Sequence, residues 1–149
     1  ALHRYAVTVS GDEHAAEDIC QQTFLDALQQ AGDYDSRRPL LPWLLCIARH
    51  KAIDHLRRQR RSIAMDATEF IAASSGTGDP VERMIAKELA DHLHKTIASL
   101  PAAQREVLCL RYLDGLSYDE LTQVTGHSVA VLRQYIYMAV QELRRRLQD

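Results

Sequence analysis

The sequence predicts an all-α protein in which two small helical domains are joined by a flexible linker. Three observations carry that prediction. Apolar residues recur at three- and four-residue spacing through nearly every segment, the period of a helix with one buried stripe. Between residues 62 and 80 the period dissolves into a Gly/Ser-rich acidic run containing AASSGTGDP, a linker composition. Beyond it, residues 102–147 follow helix-turn-helix grammar, in which the second helix enters a major groove. The expected units are 1–61, a linker over 62–81, and 82–149.

Totals set the bounds. Of 149 residues, 46% are hydrophobic and 26% charged, enough for a core without crosslinks. A formal charge of −2 supplies no overall attraction for nucleic acid, so any such role rests on local patches. Arg57–Arg61 and Arg144–Arg146 are basic clusters, whereas 66–91 is mostly acidic. Cys20, Cys46 and Cys109 are far apart and lack CxxC spacing, which favours buried free thiols in a reducing compartment over a metal site. No apolar run approaches the ~18 residues of a membrane span, and no signal peptide is visible; a cytoplasmic protein is expected. His92 and His94 lie two apart, not at the i, i+4 spacing of a helical metal pair. With no phosphate-binding glycine loop and no nucleophile motif, neither an enzyme nor a bound metal or cofactor is expected.

In chain order, residues 1–9 read as the end of a longer helix, and Gly11-Asp12 as a turn with Asp12 or Glu13 opening the next helix. His14 to Gln30 is amphipathic. Ala16, Ile19, Thr23, Ala27 and Gln30 lie near one line, with Cys20, Phe24, Leu28 and Ala31 alongside. Its other side carries Glu17, Asp18, Gln21, Gln22 and Asp26, either a solvated face or one that meets a protein partner. Gly32 to Pro42 reads as a loop that delivers Tyr34, Arg37 and Arg38 beside Trp43.

The helix expected from about Pro42 puts Leu44, Ala48, Ala52 and Leu56 on a core stripe. Cys46, Arg49, Ile53, Arg57 and Arg60 form another stripe, and the end carries Arg57, Arg58, Arg60 and Arg61. A large π-face at one end and a basic track leading from it suit a single strand, since bases stack on aromatics and phosphates follow cations. The plainer alternative is a core tryptophan with a solvated polar face.

From Val81 a helix resumes, with Met84, Ile85, Leu89, Leu93 and Ile97 spaced for a buried seam. Ala102 to Leu113 is helical, and Gly115 supplies a left-handed stop. Ser117-Tyr118-Asp119-Glu120 is a capping box, stapled by Leu116 and Leu121 and worth about 1 kcal/mol. Gly126 makes a tight turn and Ser128 caps a helix whose buried stripe is Leu132, Ile136, Ala139, Leu143 and Leu147.

Three stretches together resemble the bacterial sigma-70 family, and most closely its two-domain extracytoplasmic-function (ECF) group. They are DICQQTFLDAL (Asp18–Leu28), RPLLPWLLCIARHKAIDHLRRQRR (Arg38–Arg61) and LPAAQREVLCLRYLDGLSYDELTQVTGHSVAVLRQYI (Leu100–Ile136). The likeness covers nearly the whole chain in the family's order. It implies a region 2 helical bundle, a region 4 helix-turn-helix, and a promoter-specificity subunit of RNA polymerase.

By the same resemblance, Asp18, Gln21, Gln22 and Leu25 form the docking face for the β′ clamp helices of the polymerase. Tyr34, Trp43, Arg49 and His50 capture a flipped base of the −10 element, with Arg37, Arg38, Arg57, Arg58, Arg60 and Arg61 beside them. His127, Ser128, Arg133 and Gln134 meet duplex DNA at the −35 element. The implied partners are core polymerase (β′ clamp helices and β flap), promoter DNA and an anti-sigma factor.

The chain departs from the family after the turn, where the usual run is near Gly-x-Ser/Pro-x-Gly/Ala-Thr-Val-Lys/Arg-Ser-Arg-Leu-x-Arg-Ala. Here Val131 stands for Thr, Gln134 for Ser, and Tyr135 and Met138 for basic residues, leaving Arg133 as the basic side chain at that end. A weaker −35 contact, compensation by Arg105, Arg111 and Arg144–Arg146, or an unusual sequence read would each follow. A sigma-like interaction protein that acts mainly by binding a regulator is the alternative. Since the two promoter elements lie around two helical turns apart, at ~34 Å per turn, the domains are expected to separate on the polymerase. When free they are expected to tumble semi-independently or to fold against an inhibitor.

Overall fold

The structure, a computed structural model, describes residues 1–62 and 80–148. Its elements are α1 (Leu2–Ser10), α2 (Glu13–Gln29), a 3-10 turn at Ala31–Asp33, α3 (Leu40–Ser62), α4 (Pro80–Ala98), α5 (Ala102–Tyr112), α6 (Tyr118–Thr125) and α7 (Val129–Gln148). Most of the expected linker lies outside the described residues.

Helices α1 to α3 form the first bundle. Asp12 caps α2 by accepting from the Ala15 amide at 3.2 Å, one of the donors a helix start leaves unpaired. Buried Ala15, Ala16, Ile19, Thr23 and Ala27 then face α1 and α3. Three of these five are alanines, so the backbones approach closely. Gln30, expected on this line, is exposed, as are Phe24 and Leu28. Helix α3 begins at Leu40, two residues before the position expected. Pro42 sits in the first turn, where its missing N–H costs little because the first amides of a helix have no intrahelical carbonyl to donate to. Ala48 and Ala52 are fully buried on the expected core stripe, joined by Leu45, while Leu44 packs partly buried against the same core. An ion pair between Lys51 and Asp26 fastens α3 to α2.

Helices α4 to α7 form the second unit. The expected seam along α4 is corrected: Met84 is 60% exposed and Leu89 65%, with Leu93 also open. Among the described residues, packing is found toward the end of α4, where Thr96 is buried, Leu100 just past the helix is buried, and Arg105 donates to the Ala98 carbonyl at 2.6 Å. Past α5, Gly115 at φ 72° lets the Leu116 amide reach back to the Leu110 carbonyl at 3.1 Å. The capping box is complete: Ser117 Oγ accepts from the Glu120 amide (3.2 Å), and Glu120 Oε2 accepts from the Ser117 amide (2.7 Å). Leu116 and Leu121 are buried together as the staple. Gly126, at φ 75°, turns the chain into α7, where Ser128 Oγ accepts from the Val131 amide at 3.4 Å. Leu132, Ile136 and Ala139 are buried on α7, whereas Leu147 is exposed.

The two units do not stand apart. One cluster of buried side chains runs from Leu2, Tyr5, Leu45, Ala48 and Ala52 into Val107, Leu110, Leu121, Val124 and Leu132. Helix α1 packs on α5, and α3 packs on α6. Of the two arrangements expected for the free chain, independent tumbling is therefore not what the structure shows.

Candidate nucleic-acid interface

The N-terminal end of α3 gathers the expected aromatics. Tyr34 and Trp43 meet with ring centroids 4.9 Å apart and planes tilted by 39°. The Tyr34 hydroxyl donates to the Arg38 carbonyl at 2.6 Å, which fixes the loop against the helix. Asp35 organises the loop arginines: Arg37 donates to it from Nε at 3.0 Å and from its backbone amide at 3.1 Å, and Arg38 lies 3.9 Å away. The Arg37 hydrogen bonds hold the Asp35 carboxyl below its usual range. Both guanidinium groups stay largely in solvent, so their contact with Asp35 is exchangeable for a phosphate.

Farther along α3, His50, Arg57, Arg58, Arg60 and Arg61 are exposed and make the anticipated basic track. Arg49 does not join them. Its side chain is 23% exposed, and its Nε donates to Glu106 on α5 at 3.0 Å. Glu106 is itself only 11% exposed at its side chain, and the same Oε1 accepts from the Tyr5 hydroxyl at 2.7 Å. Burial and the neighbouring Glu106 carboxylate push the Tyr5 phenol well above its ordinary value. One turn back, Cys46 Sγ donates to the Gln123 carbonyl on α6 at 3.4 Å. Burial raises the thiols of Cys20, Cys46 and Cys109, and all three are free.

The face of α2 expected to meet a protein is open. Asp18, Gln21, Gln22 and Leu25 are exposed, and Phe24 joins Leu25 there at 52% each. A polar groove runs from this face to the basic helix, lined by Asp18 and Gln22 on one wall and Lys51, His55 and Arg58 on the other. The two expected surfaces are thus continuous.

On the helix-turn-helix, Ser128, Arg133 and Gln134 are exposed at the start of α7. His127 is half-buried, edge-on to Tyr135 at 5.4 Å between centroids. Arg133 lies over the Tyr118 ring at 5.3 Å, and Arg111 lies over it at 5.1 Å. Arg111 also donates to the Leu116 carbonyl at 2.7 Å. Arg105 and Arg111, candidates to replace the missing cations of α7, are therefore engaged inside the domain. Arg145 and Arg146 pair with Glu142, whose carboxyl they hold at about 2.

Sequence reasoning missed Glu106, Tyr5, Arg4 and Tyr118. For Glu106 a signal existed: an acid directly ahead of Val107 to Leu110 on a helix buried nearly all round needs a partner.

An aromatic-tipped basic helix coupled to a helix-turn-helix defines a DNA-binding transcription protein. Residues 1–62 match Sigma-70 region 2, and residues 90–143 match Sigma-70, region 4. The RNA polymerase sigma-H factor of Pseudomonas aeruginosa is 31% identical over 92% of this chain and 75% of its own length. The ECF RNA polymerase sigma factor SigW of Bacillus subtilis is 28% identical over 99% of this chain and 83% of its own. The sigma factor RpoE in complex with the anti-sigma factor NepR from Bartonella quintana superposes with a TM-score of 0.79. That match spans 99% of this chain and 89% of the other at 22% identity. The chain belongs to the sigma-70 family and is an ECF sigma factor. It directs RNA polymerase to promoters through regions 2 and 4, in a family without enzymatic chemistry. No described helix is long and apolar enough to cross a membrane.

Proposed function

We propose a division of this work among named residues, within working units 1–61 and 82–149 and in the cytoplasm. The α2 face of Asp18, Gln21, Gln22 and Leu25 docks on the β′ clamp helices, and the second unit meets the β flap. Tyr34 and Trp43 receive a base flipped from the non-template strand of the −10 element. His50 stands beside them, and Arg37, Arg38, Arg57, Arg58, Arg60 and Arg61 guide its phosphates. Stacking one base is worth ~1–3 kcal/mol, close to what unstacking it costs, so polymerase binding tips the balance. His127, Ser128, Arg133 and Gln134 contact the −35 duplex.

The observation that supports this reading most is the Tyr34–Trp43 pair at the head of an exposed arginine track, joined by one groove to the α2 face. An anti-sigma factor, as in the RpoE–NepR complex, is a further expected partner. The test is transcription by core polymerase with and without this chain on promoter libraries. A gain in promoter-specific transcript is expected. No gain would favour a regulator-binding protein with weakened DNA contact, a reading that the loss of two cations on α7 supports.

A further inference from the structure

Helix α7 buries Leu132, Ile136 and Ala139. At about 100° per residue, the side facing directly away from them is centred on Gln134. Ala130, Val131, Tyr137 and Met138 flank it, Gln141 lies beyond, and all six are exposed. None of the six carries a charge. Val131, Tyr137 and Met138 are large apolar side chains that the fold leaves open. The polar groups around this face are already engaged. Arg133 leans off its edge onto the Tyr118 ring, which it shares with Arg111. Ser128 Oγ serves as the helix cap, and the His127 ring packs edge-on to Tyr135. Among the described residues, none takes a hydrogen bond from the Gln134 side-chain amide.

We propose that α7 selects A·T pairs in the −35 element, with Gln134 as the adenine-selecting residue and Val131, Tyr137 and Met138 against thymine methyl groups. In a major groove each type of side chain suits its own base edge. Guanine O6 and N7 take paired hydrogen bonds from Arg or Lys, and cytosine N4 donates to Asp or Glu; the six exposed residues include none of these. An amide donates to adenine N7 while its oxygen accepts from N6, and apolar side chains fit the thymine C5-methyl. Val131 and Met138 lie about 10 Å apart along the helix axis, the length of roughly three base steps at ~3.4 Å. Arg133, held at the rim, is placed for a phosphate rather than a base. With no cation at its centre, the face adds base selection without adding attraction for DNA of any sequence. This inference rests on the reading that α7 meets the −35 duplex, and the experiment separates the two.

The test runs the full chain with core polymerase on a promoter library randomised across both elements, and sequences the templates that are transcribed. Wild type, Gln134→Arg and Gln134→Ala are compared, with thermal melting to show that these exposed substitutions leave the fold intact. Wild type is expected to favour A·T over G·C at one upstream position by about 5- to 150-fold, with A·T also favoured at the adjoining steps. Gln134→Arg should turn that one position to G·C, and Gln134→Ala should flatten it, while the adjoining steps keep their preference. If Gln134→Arg lowers Tm, Gln134→Ala decides, since it only removes the amide. Uracil in place of thymine in the selected −35 duplex removes the methyl groups alone and should lower transcript several-fold. A wild-type preference for G·C at these steps, or an A·T preference that neither variant moves, would overturn the assignment while leaving the −35 reading standing. A uracil template as active as the thymine one would overturn the methyl contacts. Promoter-specific transcript with no upstream preference at all would instead sink the −35 reading, and this inference with it.

Discussion

Replacing Trp43 with Ala tests the strand-capture site most directly. Two losses follow, and they separate. The first is structural: the Tyr34–Trp43 pair, at 4.9 Å and 39°, is worth about 0.5–1.5 kcal/mol beyond its buried area. The second is functional: a stacked base contributes ~1–3 kcal/mol, so the equilibrium for opening a promoter should fall about 5- to 150-fold. The measurement is fluorescence of a base analogue placed in the non-template −10 strand, followed on mixing with reconstituted holoenzyme. Trp43→Phe serves as the control, keeping a π-face with less area, and should lose only a small part of the signal. Binding of the same variants to a −35 duplex should not change, because α7 is untouched. If Trp43→Ala opened promoters as well as wild type while remaining folded, base capture at the head of α3 would be wrong, and Trp43 would be reduced to a packing residue.

Three further outcomes are expected. Leu45→Ala removes a fully buried side chain from the shared core, costing about 3 kcal/mol and lowering Tm by about 6–12 °C. Trp43 fluorescence and circular dichroism should report that fall as one transition, whereas two separated transitions would contradict a common core. Leu25→Asp puts a charge on the exposed apolar patch of α2 and should abolish retention of the chain by immobilised core polymerase, with −35 duplex binding intact; equal retention would move the docking face elsewhere. Arg133→Ala should reduce the salt slope of −35 binding by about 0.9, the share of one phosphate. An unchanged slope would mean that Arg133 stays on Tyr118 and never reaches the DNA.

Local chemistry made the second unit legible. Ser117, Glu120, Gly115 and Gly126 each have one conformational use at their spacing, and the structure places each in it. The α2 face was legible for the same reason: Ala16, Ile19, Thr23 and Ala27 can only point one way if Asp18 and Gln22 are to stay wet. What periodicity could not show was which stripes of α3 and α4 would find a neighbour. Leu44 and Leu45 fit the pattern almost equally, and tertiary packing, with Leu45 fully buried in the cluster and Leu44 at its margin, separates them. On α4, Met84, Leu89 and Leu93 of the expected seam stay open, while past the end of that helix Arg146 of α7 donates to Ser99 Oγ at 2.6 Å. For Arg49 the resemblance implies base capture, and its stripe also holds Arg57 and Arg60. A contact with Glu106, 57 positions away, leaves no trace in spacing.

The character of the closing contacts bears on how easily the units could part. Salt bridges that are mostly withdrawn from water contribute little net stability, because desolvating both ions offsets their attraction, yet leaving one partner alone is costly. The apolar cluster common to both units supplies most of the hold, and the largely buried Arg49–Glu106 pair adds register without adding deep stability. Such a contact resists drifting open, since opening strands a charge, but yields when a substitute is offered at the same moment.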